Sequence, residues 1–192
     1  IAITQSGETA DTLAGVRLDR AQGAKILSIC NVMGSSISRE SDAVIYTHAG
    51  PEIAVASTKA YTSQLTALYL LTLFLAKTRG TLDQVRWQEL ANGLRRLPEA
   101  VGKAFATERA IKPIARRYAA VRDFYYLGRR YNYPSALEGA LKLKEICPRI
   151  HAEGYAAGEM KHGPISLIRK GLPVGFIATD SPVYEKVISN IE

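Results

Sequence analysis

Cysteine is scarce in this chain: among 192 residues there are two, Cys30 and Cys147, and neither lies at a metal-ligand or redox spacing from another ligand. A disulfide framework and a zinc cluster are thereby excluded, and both residues read as reduced thiols of a cytoplasmic protein. Long apolar runs are also lacking. The longest, Leu65 to Ala76, is interrupted by Thr66 and Thr72 and is too short to span a bilayer, so no membrane role is expected. Acidic residues fall short of basic ones, 18 against 25, for a net charge of +7. The deficit is confined to Arg79–Arg130, where twelve Lys and Arg face five Asp and Glu; elsewhere the two signs are equal. Such a stretch invites nucleic acid. Here, however, Trp87, Leu90, Leu94, Leu97, Val101 and Phe105 are spaced between the cations as on a solvated helical face, and nucleic acid is not expected as a partner.

What is present is an ordinary globular composition, 47% hydrophobic and 22% charged, long enough for one large domain or two small ones. Its opening is the most informative stretch. An apolar run, Ile1-Ala2-Ile3, leads into Thr4-Gln5-Ser6-Gly7-Glu8-Thr9-Ala10-Asp11-Thr12, and Leu13, Val16 and Leu18 follow on what reads as one side of a helix. Strand, tight loop and helix start make an anion site: turn N–H groups, hydroxyls and the positive helix end converge there. Hydroxylated residues at helix starts commonly do no more than cap. Four hydroxyls in nine residues exceed one cap, and no Lys or Arg sits in the loop, which suits a phosphate monoester better than a polyphosphate.

The pattern then continues as parallel α/β. A helix runs to about Gln22 with Gly23 as C-cap, Ala24–Cys30 is an apolar strand, Asn31–Ser36 turns the chain, and Ser41–Thr47 is a further strand. His48 to Glu52 form a turn before a long helix expected from about Val55 through Lys77. His48 reads as a polar loop residue, having no second ligand at helical spacing. Glu52 has two open readings, contact with a substrate hydroxyl or acceptance of helix N–H groups. Residues 82–118 read as helices broken by Pro98 and Pro113, after which Arg122–Gly128 restarts the strands and Tyr133–Cys147 is a helix stopped by Pro148. Ile150–Ala156 and Leu172–Ala178 are further strand candidates, and Ile177–Pro182 faintly echoes Ile1–Gly7. The expected division is 1–80, a connector at 81–120, and 121–192. The chain opens inside a strand pattern and closes inside a helix pattern, so it is expected to be part of a longer protein.

Two clusters carry reactive groups. Glu138, Lys142 and Glu145 stand at i, i+4 and i+7 of one helix and so share a face, either as a surface ion-pair ladder or as a catalytic stripe. The segment Ala156–Pro164 comes next, rich in small residues and glycine, with His162 in a stretch suited to neither helix nor strand. A carboxylate base with a histidine acid suits proton transfer beside a carbonyl, as in aldose–ketose interconversion.

Four of these stretches, Thr4–Thr12, Gly50–Ala60, Ala136–Glu145 and Gly158–Pro164, together resemble the isomerase (SIS) region of the glucosamine-6-phosphate synthase family, the glutamine:fructose-6-phosphate amidotransferases. The resemblance covers nearly the whole chain. It implies two SIS-type three-layer αβα units with parallel sheets, both incomplete, joined by the helical connector. It also implies fructose 6-phosphate and glucosamine 6-phosphate as ligands, with no metal and no organic cofactor. Thr4, Gln5, Ser6 and Thr9 are carried over as sugar-phosphate-binding residues and Val55 as a backbone contact. Glu145 resembles the base that moves a proton between C1 and C2, with Lys142 beside it facing the sugar or its open-chain oxygen. His162 resembles the ring-opening group, which in the family reaches the site from the neighbouring subunit and so implies a homodimer. The sequence departs from the family at Thr4, where serine is usual, and by one extra residue between Glu145 and His151. The family's glutaminase domain and the C-terminal lysine that forms an imine with the sugar lie outside these 192 residues, so the chain alone is expected to be inactive in synthesis. A phosphosugar-binding regulatory module and an isomerase without amination are the alternatives.

Overall fold

In the computed structural model, which describes residues 1–192, backbone contacts divide the chain into two units, Ile1–Ala104 and Phe105–Glu192. The first begins with β1 (Ala2–Thr4), α1 (Ala10–Ala21), β2 (Leu27–Cys30), α2 (Ser36–Arg39) and β3 (Ala43–Tyr46), followed by α3 (Lys59–Arg79) and α4 (Gln84–Arg95). Its sheet has the order β1-β2-β3 and is parallel throughout, with Thr4, Cys30 and Tyr46 level across it. The central strand is β2, and Ser28, Ile29 and Cys30 on it are fully buried. Below it Val16 of α1, Ile26 and Ile37 of α2 form a core against Ala2 and Leu13.

Leu18 does not join that core and is 64% exposed. Leu13 and Val16 are three apart and share a face, whereas Leu18 lies two beyond Val16 and turns to the other side. The second long helix also starts later than Val55, at Lys59, and ends at Gly80, whose φ of +63° closes it in the left-handed region. One buried group has no use in this packing. The Ser28 hydroxyl is sealed from solvent without a hydrogen-bond partner. Burying it unpaired costs about 1–3 kcal/mol, so Ser28→Ala is expected to leave the thermal midpoint unchanged or raise it, as calorimetric unfolding will show.

Helix α5 (Leu97–Ala106) runs through the division, and the second unit continues with α6 (Glu108–Arg117), β4 (Asp123–Gly128), α7 (Asn132–Ile146), β5 (His151–Ala156), β6 (Val174–Phe176) and α8 (Tyr184–Ile191). Its sheet is again parallel, in the order β5-β4-β6. Pro113 does not break the chain as the sequence suggests but sits inside α6. On that helix and on α5, Glu108–Lys112 and Glu99–Lys103 form i,i+4 ion pairs, as expected of solvated faces.

Two glycines seat α7 closely on this sheet. A Cβ on Gly128 would lie 1.9 Å from the Asn132 carbonyl oxygen, and one on Gly154 2.8 Å from the Leu137 Cα. The approach fixes the height of α7, and with it the stripe that α7 carries. Two 3-10 segments, Ala157–His162 and Pro164–Leu167, occupy the stretch that reads as neither helix nor strand. Ala157 and Met160, three apart, anchor the first of them in a core with Tyr125 and Leu127.

Candidate functional site

The first candidate site is the loop between β1 and α1. Thr4 is 6% exposed, and its hydroxyl oxygen accepts from the Gly7 N–H at 3.0 Å; the Ser6 hydroxyl oxygen accepts from the Glu8 N–H at 3.2 Å. Each hydroxyl uses a lone pair to shape the turn and keeps its O–H to donate outward. Thr9 holds the N-cap position of α1, yet its hydroxyl caps nothing. Capping therefore does not explain Thr9, which stands exposed beside the unpaired first N–H groups of α1. Gln5 is half-buried, and its carbonyl accepts from the Asn31 N–H at 3.2 Å.

The loop is clamped from below by α2. Gly7 has φ +72°, its carbonyl accepts from the Ile37 N–H at 3.0 Å, and a Cβ on it would lie 2.0 Å from the Ser35 hydroxyl oxygen. Glu8 is drawn to the start of α2, where it accepts from the Ser36 N–H at 2.8 Å; hydrogen bonding from the Ser36 side chain first, and from that N–H second, holds its carboxyl below the ordinary carboxylate range. The sequence reading missed this role of Glu8, because nothing in sequence links it to residue 36.

A second loop, between β3 and α3, carries Val55. The Val55 side chain is 99% exposed, so a contact through its main chain leaves the side chain free. Of the two readings of Glu52, the structure realises acceptance of N–H groups at a helix start. Its Oε1 accepts from Ala60 N–H at 3.0 Å, Thr58 N–H at 3.3 Å and Ser57 Oγ at 3.3 Å. These bonds, led by that from Ala60, lower the Glu52 pKa from its ordinary 4.5. A group depressed by folding stabilises the fold above its unfolded value and loses that contribution as pH falls through the folded one. Glu52→Gln is thus expected to lower the thermal midpoint at neutral pH, and the gap to the unsubstituted chain is expected to close below pH 4.5; unfolding curves across that range will test both.

The second unit holds the other candidates. On α7, Lys142 Nζ lies 2.5 Å from Glu145 Oε2 and 3.7 Å from Glu138 Oε1, with side-chain exposures of 20%, 30% and 22% for Lys142, Glu145 and Glu138. The i,i+4 pairs on α5 and α6 are 64–76% exposed. On α7 itself Leu137 and Leu141 are 43% and 44% exposed, more than the charges beside them. A solvated ladder has the opposite arrangement. His162 closes the first 3-10 segment and is followed by Gly163 at φ +145°. Its ring is exposed and forms no hydrogen bond or ion pair within the chain. His151, whose spacing departs from the family's, lies instead between Asp123 and Glu153 at 3.5 and 3.3 Å.

No cluster of three or more His, Cys, Asp or Glu side chains suited to a metal is present, and no helix is long and apolar enough to cross a membrane. An apolar groove of about 570 Å³ between α3 and α4, lined by Leu70, Phe74 and Trp87 among others, contains none of the candidate residues. The candidate residues lie instead in the two loops, on α7 and at the end of the first 3-10 segment.

Two parallel sheets with a hydroxyl-rich loop at the end of the first strand define a class, and the family comparison agrees with it. The SIS-domain model matches residues 1–74 and 118–189, and the chain belongs to the SIS-domain family. Within that family it is 51% identical over its entire length to glutamine–fructose-6-phosphate aminotransferase [isomerizing] of Thermococcus kodakarensis, covering 32% of that protein. Over 190 residues, 99% of the chain, it is 53% identical to the Brucella abortus aminotransferase, of which it covers 31%. Among solved structures, the C-terminal domain of glucosamine-fructose-6-phosphate aminotransferase from Francisella tularensis superposes with a TM-score of 0.95 at 42% identity. That match covers 98% of this chain and 53% of the other. The chain thus spans about a third of the length of the curated relatives it matches.

Proposed function

We propose that this chain is the sugar-phosphate-binding and isomerising region of an enzyme that makes glucosamine 6-phosphate from fructose 6-phosphate and glutamine. Residues 1–80 and 121–192 are its two SIS domains and 81–120 the connector. The phosphate is held by the O–H groups of Thr4, Ser6 and Thr9, by Gln5, and by the N–H groups of the loop and of the α1 terminus. The second loop meets the sugar through the Val55 main chain. Glu145 takes the proton from C1 of the open-chain sugar and returns it at C2, and Lys142 faces the open-chain oxygen. His162, exposed and unpartnered, opens the ring in the site of a second copy, so the working form is a homodimer. Ammonia comes from the glutaminase domain of the full-length enzyme. No step is routed through a metal or an organic cofactor, since proton transfer beside a carbonyl needs only a base and an acid. The two free thiols suit the cytoplasm.

The observation that carries this reading is the half-buried Lys142–Glu145 pair. A regulatory module that only binds a phosphosugar has no use for it. The test is exchange of solvent protons into fructose 6-phosphate by the full-length enzyme with and without Glu145→Gln. Exchange that persists undiminished in the variant overturns the assignment.

A further inference from the structure

We propose that Asn31 is a positioning residue that holds the second loop at a fixed height beside the first, so that phosphate and sugar are gripped in one geometry. This rests on the reading of both loops as sugar-phosphate-binding. Asn31 is the first residue past the end of β2, the central strand, so it stands between the loop after β1 and the loop after β3. Its N–H donates to the Gln5 carbonyl of the first loop at 3.2 Å. Its side chain is spent on the second: Nδ2 donates to the Gly50 carbonyl at 2.8 Å, and Oδ1 accepts from the Ala49 N–H at 2.8 Å and the Thr47 hydroxyl at 2.9 Å. The Ala49 N–H can only donate and the Gly50 carbonyl can only accept, which fixes the orientation of the amide. Only a side chain with both a donor and an acceptor at that reach satisfies the pair.

The loop needs such a strut. His48 and Gly50 sit in the left-handed region at φ +50° and +75°, and Ile53 and Val55 are 92% and 99% exposed with no apolar packing to hold them. Its far end is fastened by Glu52 to Ser57, Thr58 and Ala60. Asn31 fastens the near end and also contacts the first loop through Gln5, whose carbonyl the Cys30 thiol reaches as well at 3.9 Å.

The test combines amide hydrogen exchange and calorimetry on the 192-residue chain. In Asn31→Ala, exchange at Ala49, whose N–H loses its acceptor, is expected to accelerate about tenfold, while Gly7, Glu8 and residue 31, whose N–H acceptors are untouched, stay protected. Affinity for fructose 6-phosphate is expected to fall about tenfold with that for inorganic phosphate unchanged. Asn31→Asp keeps the acceptor for Ala49 and Thr47 but sets a charged oxygen against the Gly50 carbonyl in place of the donor; should the alanine variant not fold, the loss is read in this variant as a fall in the affinity for fructose 6-phosphate relative to that for inorganic phosphate, since the added charge itself weakens both. Equal acceleration in both loops, no acceleration, or an unchanged ratio of the two affinities overturns the proposal. Failure of the underlying reading looks different: Ser6→Ala with Thr9→Ala then binds fructose 6-phosphate as the unsubstituted chain does, whatever Asn31 does to exchange.

Discussion

Replacing Glu145 by glutamine is expected to slow proton exchange into fructose 6-phosphate by about 10²–10⁴-fold in the full-length enzyme, the contribution typical of a general base. Affinity for the sugar phosphate is expected to stay unchanged. Glutamine fills the same space and still accepts a hydrogen bond from Lys142, 2.5 Å away in the native pair. What it cannot do is take a proton. A residue of a surface ladder behaves otherwise: its neutralisation costs a few tenths of a kcal/mol of helix stability and leaves rates alone. Measuring exchange and affinity on the same preparation separates the two cases.

The second large effect is at Gly7. Gly7→Ala places a Cβ 2.0 Å from the Ser35 hydroxyl oxygen and asks an L-residue to hold φ +72°. Left-handed backbone costs about 1–2 kcal/mol and overpacking about 1–3 kcal/mol. The variant is therefore expected to be destabilised by about 2–5 kcal/mol, with loss of phosphate binding because the loop can no longer sit on α2. Adding Ser35→Gly removes the clash with Ser35 and leaves the backbone strain and the tight contact with Cys30 Sγ at 3.0 Å, so about half of the loss is expected to return. Denaturant unfolding of the single and double variants will show it. Full recovery in the double variant would mean that the backbone at Gly7 carries no strain.

Local patterns in the sequence were enough to find the strands, the first loop and the spacing of Glu138, Lys142 and Glu145, because each depends on a few consecutive residues. The outcomes that differed depend on residues far apart in sequence. Helix α3 starts at Lys59 rather than Val55 because the Glu52 carboxylate occupies its first N–H groups. Glu8 is drawn to Ser36, and Asn31 lies in a stretch that reads only as a turn. Its position becomes visible once β2 is known to be the central strand, and strand order is not written in local periodicity. The low exposure of the α7 charges likewise comes from tertiary packing, so spacing alone favoured a solvated ladder over a catalytic stripe.

Calorimetric titration of the chain with fructose 6-phosphate, alongside the Ser6→Ala, Thr9→Ala variant, is the most direct measurement of whether the first loop is a sugar-phosphate site. A clear binding heat that weakens by about tenfold or more in the variant is expected, since two hydrogen bonds to a charged group are removed. Equal heats for the folded chain and its folded variant would place the phosphate elsewhere and contradict the assignment of Thr4, Gln5, Ser6 and Thr9.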